Sequence, residues 1–187
     1  MLPTSVSGHS LLQQALLNRE ALEVPMNSAG FVSFLDGQRI KSIGTQNLNG
    51  CTAVMLVSTR GAILSHISPL PGPTNNPHAG RQHVRENMVN FLELYRDKKE
   101  FRKGPEEKKS GIVCGILYSG KIALPDQGEL IASVLLENLE DNPRPKVIPY
   151  QVNTDGHSQD ASGTVFIDGR HSVPKVYVED NDQGWFY

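Results

Sequence analysis

The chain has 187 residues, of which 38% are hydrophobic and 20% charged, and a formal net charge of −2. Its length suits one domain, 1–187, with a sizeable core, and the near-neutral balance argues against a dedicated nucleic-acid or anionic-membrane binder. Two cysteines, Cys51 and Cys114, form neither a disulfide framework nor, by themselves, a zinc site, and no stretch reaches transmembrane length.

The first segment, residues 1–25, is an N-terminal helix region. Ser10 is a good N-cap, and Leu11, Leu12, Ala15 and Leu16 make one helical face. Residues 1–10 are polar and lack the basic-then-apolar pattern of a signal peptide. The expected location is therefore cytoplasmic, or a host cytosol if the chain is a delivered toxin or effector domain. After the loop Pro25–Ser28, residues 30–35 read as a strand, Asp36-Gly37 as a hairpin turn and residues 39–43 as the returning strand. Gly44-Thr45 leads into Thr45-Gln46-Asn47-Leu48-Asn49-Gly50-Cys51, followed by the β-prone run 52–57, a turn at Arg60-Gly61 and the run 62–67. Four strands before residue 70 suggest a local antiparallel meander.

That hairpin brings the start of one strand beside the end of the next, so Cys51 and His66 arrive at one edge of the sheet. A thiol beside an imidazole has a base to activate it. The same pair also fits a small buried Cys with a His near a proline-rich loop, since free Cys is commonly buried.

Residues 69–77, Pro-Leu-Pro-Gly-Pro-Thr-Asn-Asn-Pro, are either a stiff connector or a wall of a site mouth. His66, His78 and His83 lack a metal-binding spacing, and no cofactor is expected. Residues 80–101 read as a helix with Val84, Met88, Phe91, Leu92 and Tyr95 inward. The mixed charge run 98–109 reads as a solvated helix end, with a docking surface as the alternative. Residues 111–118 form a continuous apolar run, a buried central strand that makes Cys114 an inert core thiol. A second helix, 126–140, turns Leu130, Ile131, Val134, Leu135 and Leu139 inward and ends at Pro143. Residues 147–152, 163–167 and 174–178 are further strands, and the polar loop 153–162 carries Asp155 and His157. The tail, 180–187, is acidic and then aromatic, with Trp185 and Phe186 docked or free. The fold class expected is α/β (α+β): a mostly antiparallel central sheet or sandwich flanked by helices.

Leu48-Asn49-Gly50-Cys51 resembles the Leu-x-Gly-Cys motif of the cysteine-dependent protein glutamine deamidases that share the cytotoxic necrotizing factor and chemotaxis receptor deamidase fold. The Cys-to-His gap is similar to that of the necrotizing-factor domains, and Thr45 stands where two other members carry a functional Thr. The likeness covers residues 45–66 only. It implies a hydrolase with Cys51 as nucleophile, His66 as general base and acid, and Thr45 as the third member, acting on a protein that presents a glutamine. Amide donors for the oxyanion would come from Gly50 and Cys51, because a glycine before the nucleophile lets backbone N–H groups approach. Transglutamination would follow if an amine replaced water. Two other readings compete: a metal-assisted nucleoside phosphorylase or deaminase on a related scaffold, and a non-enzymatic interaction domain. The substrate protein and the oligomeric state are not legible.

Overall fold

Ser10 opens the first helix by a reciprocal cap: its hydroxyl accepts the Gln13 N–H at 3.1 Å, and its own N–H donates to Gln13 Oε1 at 3.2 Å. In the computed structural model, residues 8–140, 144–153 and 159–186 are described; Asp155 and His157 lie outside them. The elements run α1 (Leu11–Leu17), β1 (Ala21–Glu23), β2 (Ser28–Ser33), β3 (Ser42–Thr45), β4 (Thr52–Ser58), β5 (Gly61–Ile67), α2 (Ala79–Asp97) and α3 (Lys99–Lys103). They continue with β6 (Lys109–Ile116), α4 (Pro125–Asn138), β7 (Lys146–Gln151), β8 (Val165–Asp168), β9 (Lys175–Val178) and β10 (Asn181–Asp182).

The strands form two five-stranded sheets, ordered β1-β3-β8-β9-β10 and β2-β5-β4-β6-β7. Pairing is antiparallel except for β1 with β3 and β6 with β7, where α4 makes the crossover that a parallel pair needs. This is the α+β sandwich expected, with helices outside it.

The unbroken apolar runs of β4 and β5 have a physical cause: both faces of these strands are covered. Ala53, Met55, Val57, Ala62 and Leu64 face the other sheet, meeting Ile43, Val165, Ile167 and Val176. Val54, Leu56, Ile63 and Ile67 face the helices, meeting Val84, Met88 and Phe91 of α2 and Ile131 and Leu135 of α4. A third, smaller core lies under α1, where Leu12 and Ala15 pack with Phe166.

Three expectations change. Residues 30–35 and 39–43 do not form a hairpin: β2 pairs with β5, whereas β3 crosses to the other sheet between β1 and β8. Asp36-Gly37 thus belongs to an inter-sheet crossing, and the four-strand meander shrinks to β2-β5-β4. The crossing satisfies Ile43 and Thr45, which are fully buried between the sheets. The β4–β5 turn is Thr59-Arg60, since Ser58 pairs directly with Gly61. Finally, the helix expected over 80–101 breaks at Lys98, where ψ is 66°. The break lets Phe101 turn inward, edge-on to Phe31 with ring centroids 5.5 Å apart. The tail docks: Trp185 is buried in the inter-sheet core and Phe186 packs against it.

Gly44 is required by packing. A Cβ there would lie 2.4 Å from Leu12 Cδ1 and 2.7 Å from the Val165 carbonyl oxygen. Gly44→Ala should therefore cost about 1–3 kcal/mol, because the backbone oxygen cannot rotate away. Urea denaturation with an unchanged m-value checks this.

Candidate active site

The register of β4 and β5 settles which side chains share a face. Ala53 pairs with His66, and both Ala53 and Cys51 point between the sheets. Cys51 is therefore a diagonal neighbour of His66, about 7–8 Å away along a regular ladder. Thr45 reaches the same space from the other sheet: its Oγ1 lies 2.7 Å from His66 Nδ1. Thr45 and His66 are thus brought into contact, Cys51 shares their inter-sheet face, and all three are buried, Cys51 at 7%, His66 at 2% and Thr45 at 0% exposure. The structure places all three inside the core, and Cys51 is nearly as buried as Cys114, at 5%.

The hydrogen bonds assign the histidine tautomer. Thr45 Oγ1 donates its single proton to the Val24 carbonyl at 2.8 Å. The bond between Thr45 and His66 must then be donated by Nδ1–H. In the neutral ring this leaves the lone pair on Nε2, which is buried and has no hydrogen-bond partner among the described residues. A buried polar atom without a partner costs about 1–3 kcal/mol. Each such atom calls for a physical explanation, and a catalytic role is one.

Burial also sets the charges. It pulls His66 from 6.5 down to about 4 and pushes the Cys51 thiol up. The resting pair is thus thiol and neutral imidazole, not thiolate and imidazolium.

The turn before Cys51 is held from three sides. Asn47, Asn49 and Gly50 have φ of 60°, 20° and 98°, left-handed values that Asn and Gly tolerate best. Leu48 plugs the inter-sheet core at 0% exposure, and its N–H donates to the Gly163 carbonyl at 3.1 Å. Tyr150, from β7, then clamps the turn: its hydroxyl accepts the Gly50 N–H at 2.7 Å and donates to the Cys51 carbonyl at 2.7 Å. Burial raises the Tyr150 phenol well above its ordinary range, so it stays protonated and able to donate. The Cys51 N–H donates to the Leu48 carbonyl. Both amides expected to serve the oxyanion are therefore engaged, the Gly50 N–H by Tyr150 of β7 and the Cys51 N–H within the turn.

Sequence reasoning missed Tyr150 and the short β1–β2 connection. The only available signal for Tyr150 was its inward strand position beside Ile148, since a buried Tyr hydroxyl needs a partner. The β1–β2 connection contributes the Val24 carbonyl, and Met26, whose Sδ lies 4.0 Å from Cys51 Sγ. It also contributes Asn27, whose N–H donates to the His66 carbonyl at 2.7 Å. Asn27 Oδ1 further accepts from the Ser68 N–H at 2.9 Å and lies 3.0 Å from His83 Nε2. His83 thus ties α2 to the loop flanking the site. His78 caps no bond with its side chain at the start of α2. Among the described residues, no group of three or more His, Cys, Asp or Glu could hold a metal ion, and no helix is long and apolar enough to cross a membrane.

No protein-family model matches the chain, and no curated protein matches it at a significant level.

Two tests follow from the hydrogen-bond chain. Thr45→Val leaves the Val24 carbonyl and His66 Nδ1–H unpaired, so it should cost about 1–3 kcal/mol. Nitrogen NMR of the His66 ring should show Nδ1–H in the wild type and in Thr45→Ser, but a tautomer mixture in Thr45→Val. The second test is linkage. Unfolded His66 gains its proton near pH 6.5 and the native ring only near 4. Stability should therefore fall as pH drops through that window, because the unfolded chain binds more protons. His66→Asn, which keeps a donor toward Thr45, should flatten that part of the denaturation-midpoint curve.

Proposed function

We propose that the chain is a cysteine amidohydrolase, and within that class a protein glutamine deamidase converting Gln to Glu. The observation that carries the reading is the Val24–Thr45–His66 chain of hydrogen bonds, which leaves an unpartnered lone pair on Nε2 of a ring that shares its strand face with Cys51. The likeness of residues 45–66 to the deamidases supports the narrower assignment.

In this mechanism Nε2 takes the thiol proton as Sγ attacks the side-chain amide carbon. The neutral resting pair favours transfer during attack over a preformed ion pair. The imidazolium formed is held by Nδ1–H donation to Thr45, and its Nε2–H protonates departing ammonia. Water, activated by the same nitrogen, then hydrolyses the thioester to Glu; an amine in its place gives a transglutamination product. The oxyanion needs donors. The Gly50 N–H becomes available if the Tyr150 hydroxyl shifts, or the Tyr150 hydroxyl itself donates. The partner is a protein presenting a glutamine, and a free thiol nucleophile suits a reducing compartment, the cytosol or a host cytosol.

A second reading, an interaction domain that keeps the scaffold, is favoured by one observation: the Gly50 and Cys51 amides are both bonded internally. Incubation with candidate proteins separates the two, through ammonia release and the mass change of amide to acid at one glutamine. Turnover should vanish in Cys51→Ser and fall by ~10²–10⁴-fold in His66→Ala. The acid limb of kcat/KM should lie near pH 4 instead of 6.5, since His66 remains an unprotonated base down to about 4. Folded Cys51→Ser with full activity would refute the nucleophile.

A further inference from the structure

The thiol sits at the end of a sandwich, where loops open to solvent, yet it is only 7% exposed. Met26 is positioned to cover it. The Met26 side chain is 58% exposed, and its sulfur lies 4.0 Å from Cys51 Sγ. Its backbone, in contrast, is fixed on both sides. The Pro25 carbonyl accepts from Ser28 Oγ at 2.7 Å, and the Asn27 N–H donates to the His66 carbonyl at 2.7 Å. Asn27 holds a left-handed φ of 60°, and its side-chain oxygen is engaged by the Ser68 N–H and lies beside His83. A loop tied this way does not swing open. A methionine side chain, unbranched with three rotatable bonds, does. A second, independent observation is His66 Nε2, unpartnered in a residue 2% exposed whose side chain shares its strand face with Cys51.

We propose that Met26 is the gate of the thiol, and that the opening it controls admits an unbranched side chain ending in a primary carboxamide while excluding a peptide backbone. To attack a backbone carbonyl, the thiol would have to meet an extended chain continuing on both sides. Cys51, His66 and Thr45 lie below the surface, and the tied 24–27 connection stands beside them. A glutamine side chain carries its amide on two methylenes and reaches inward while its backbone stays outside. The displaced Met26 thioether then packs on those methylenes. The inference rests on the deamidase reading only in naming glutamine.

Its test needs no protein substrate. Cys51 alkylation is followed by peptide mass mapping with iodoacetamide, a slim primary carboxamide, and with N-phenylmaleimide, a bulky probe, using Cys114 as the internal reference. Met26→Ala should raise the N-phenylmaleimide rate at Cys51 by about tenfold, as a barrier lowered by one modest packing contribution gives, and the iodoacetamide rate much less. Met26→Leu, which restores bulk without sulfur, should return both rates to the wild-type values. Met26→Phe should slow both. Unchanged rates in Met26→Ala, equal acceleration of both probes, or Met26→Leu behaving as Met26→Ala would each overturn the gate. Circular dichroism confirms the fold of each variant, and Met26→Phe keeps the proposal falsifiable if the alanine variant loosens. Probe rates report access to the thiol whether or not any glutamine is deamidated, so failure of the gate and failure of the deamidase reading are distinct results.

Discussion

One hydrogen-bonded chain joins the two sheets at the site: the Val24 carbonyl, the Thr45 hydroxyl and the His66 ring. Its direction follows from counting protons, because a hydroxyl has one to give and the carbonyl takes it. Everything chemical depends on that direction. Were Thr45 free to donate to Nδ1 instead, the proton would sit on Nε2, and that nitrogen could no longer accept one. The sandwich contributes the dry space in which the chain forms, and β1–β3 pairing brings Val24 and Thr45 to the same end. Packing between sheets and chemistry at their edge are therefore one constraint.

Burial has a cost as well as a use. It drives His66 toward its neutral form and the Cys51 thiol away from ionisation. An exposed catalytic cysteine commonly rests as a thiolate. Here burial keeps the Cys51 thiol protonated, with the Met26 sulfur 4.0 Å from its own. The Tyr150 clamp has the same character, since it satisfies the Gly50 amide and Cys51 carbonyl while no oxyanion claims them. Leu48 and Cys51 are buried and Gly50 partly so, and leaving these amides unpaired would cost stability, so the resting structure fills them locally.

Much of this was legible in the sequence, for identifiable reasons. The 3.6-residue stripe of α2 and the unbroken runs of β4 and β6 report burial directly, and the hairpin itself was legible, although its turn lies one residue before the Arg60-Gly61 expected. What failed was non-local. Strands 30–35 and 39–43 carry a Gly turn and alternate well enough for a hairpin, but nothing in either segment says that they enter different sheets. That choice is made by β1 and β8, one before and one more than a hundred residues after. Tyr150 was illegible for the same reason: its partner turn lies a hundred residues away.

The site's small size sharpens what the motif means physically. Within Leu48-Asn49-Gly50-Cys51 every residue has a mechanical role. Leu48 plugs the core, Asn49 and Gly50 take the left-handed path, and Cys51 enters the strand. None of these roles requires catalysis, so the motif alone is compatible with a tight turn that ends in a buried thiol. The step from turn to site is made by residues outside the motif. Thr45 orients the imidazole and Val24 fixes the proton that Thr45 gives. A domain kept only for binding has no need for this second layer, whereas a nucleophile without it would face a ring of undefined tautomer. The argument for chemistry therefore lies less in Cys51 than in the carbonyl of Val24, a backbone atom that no motif records.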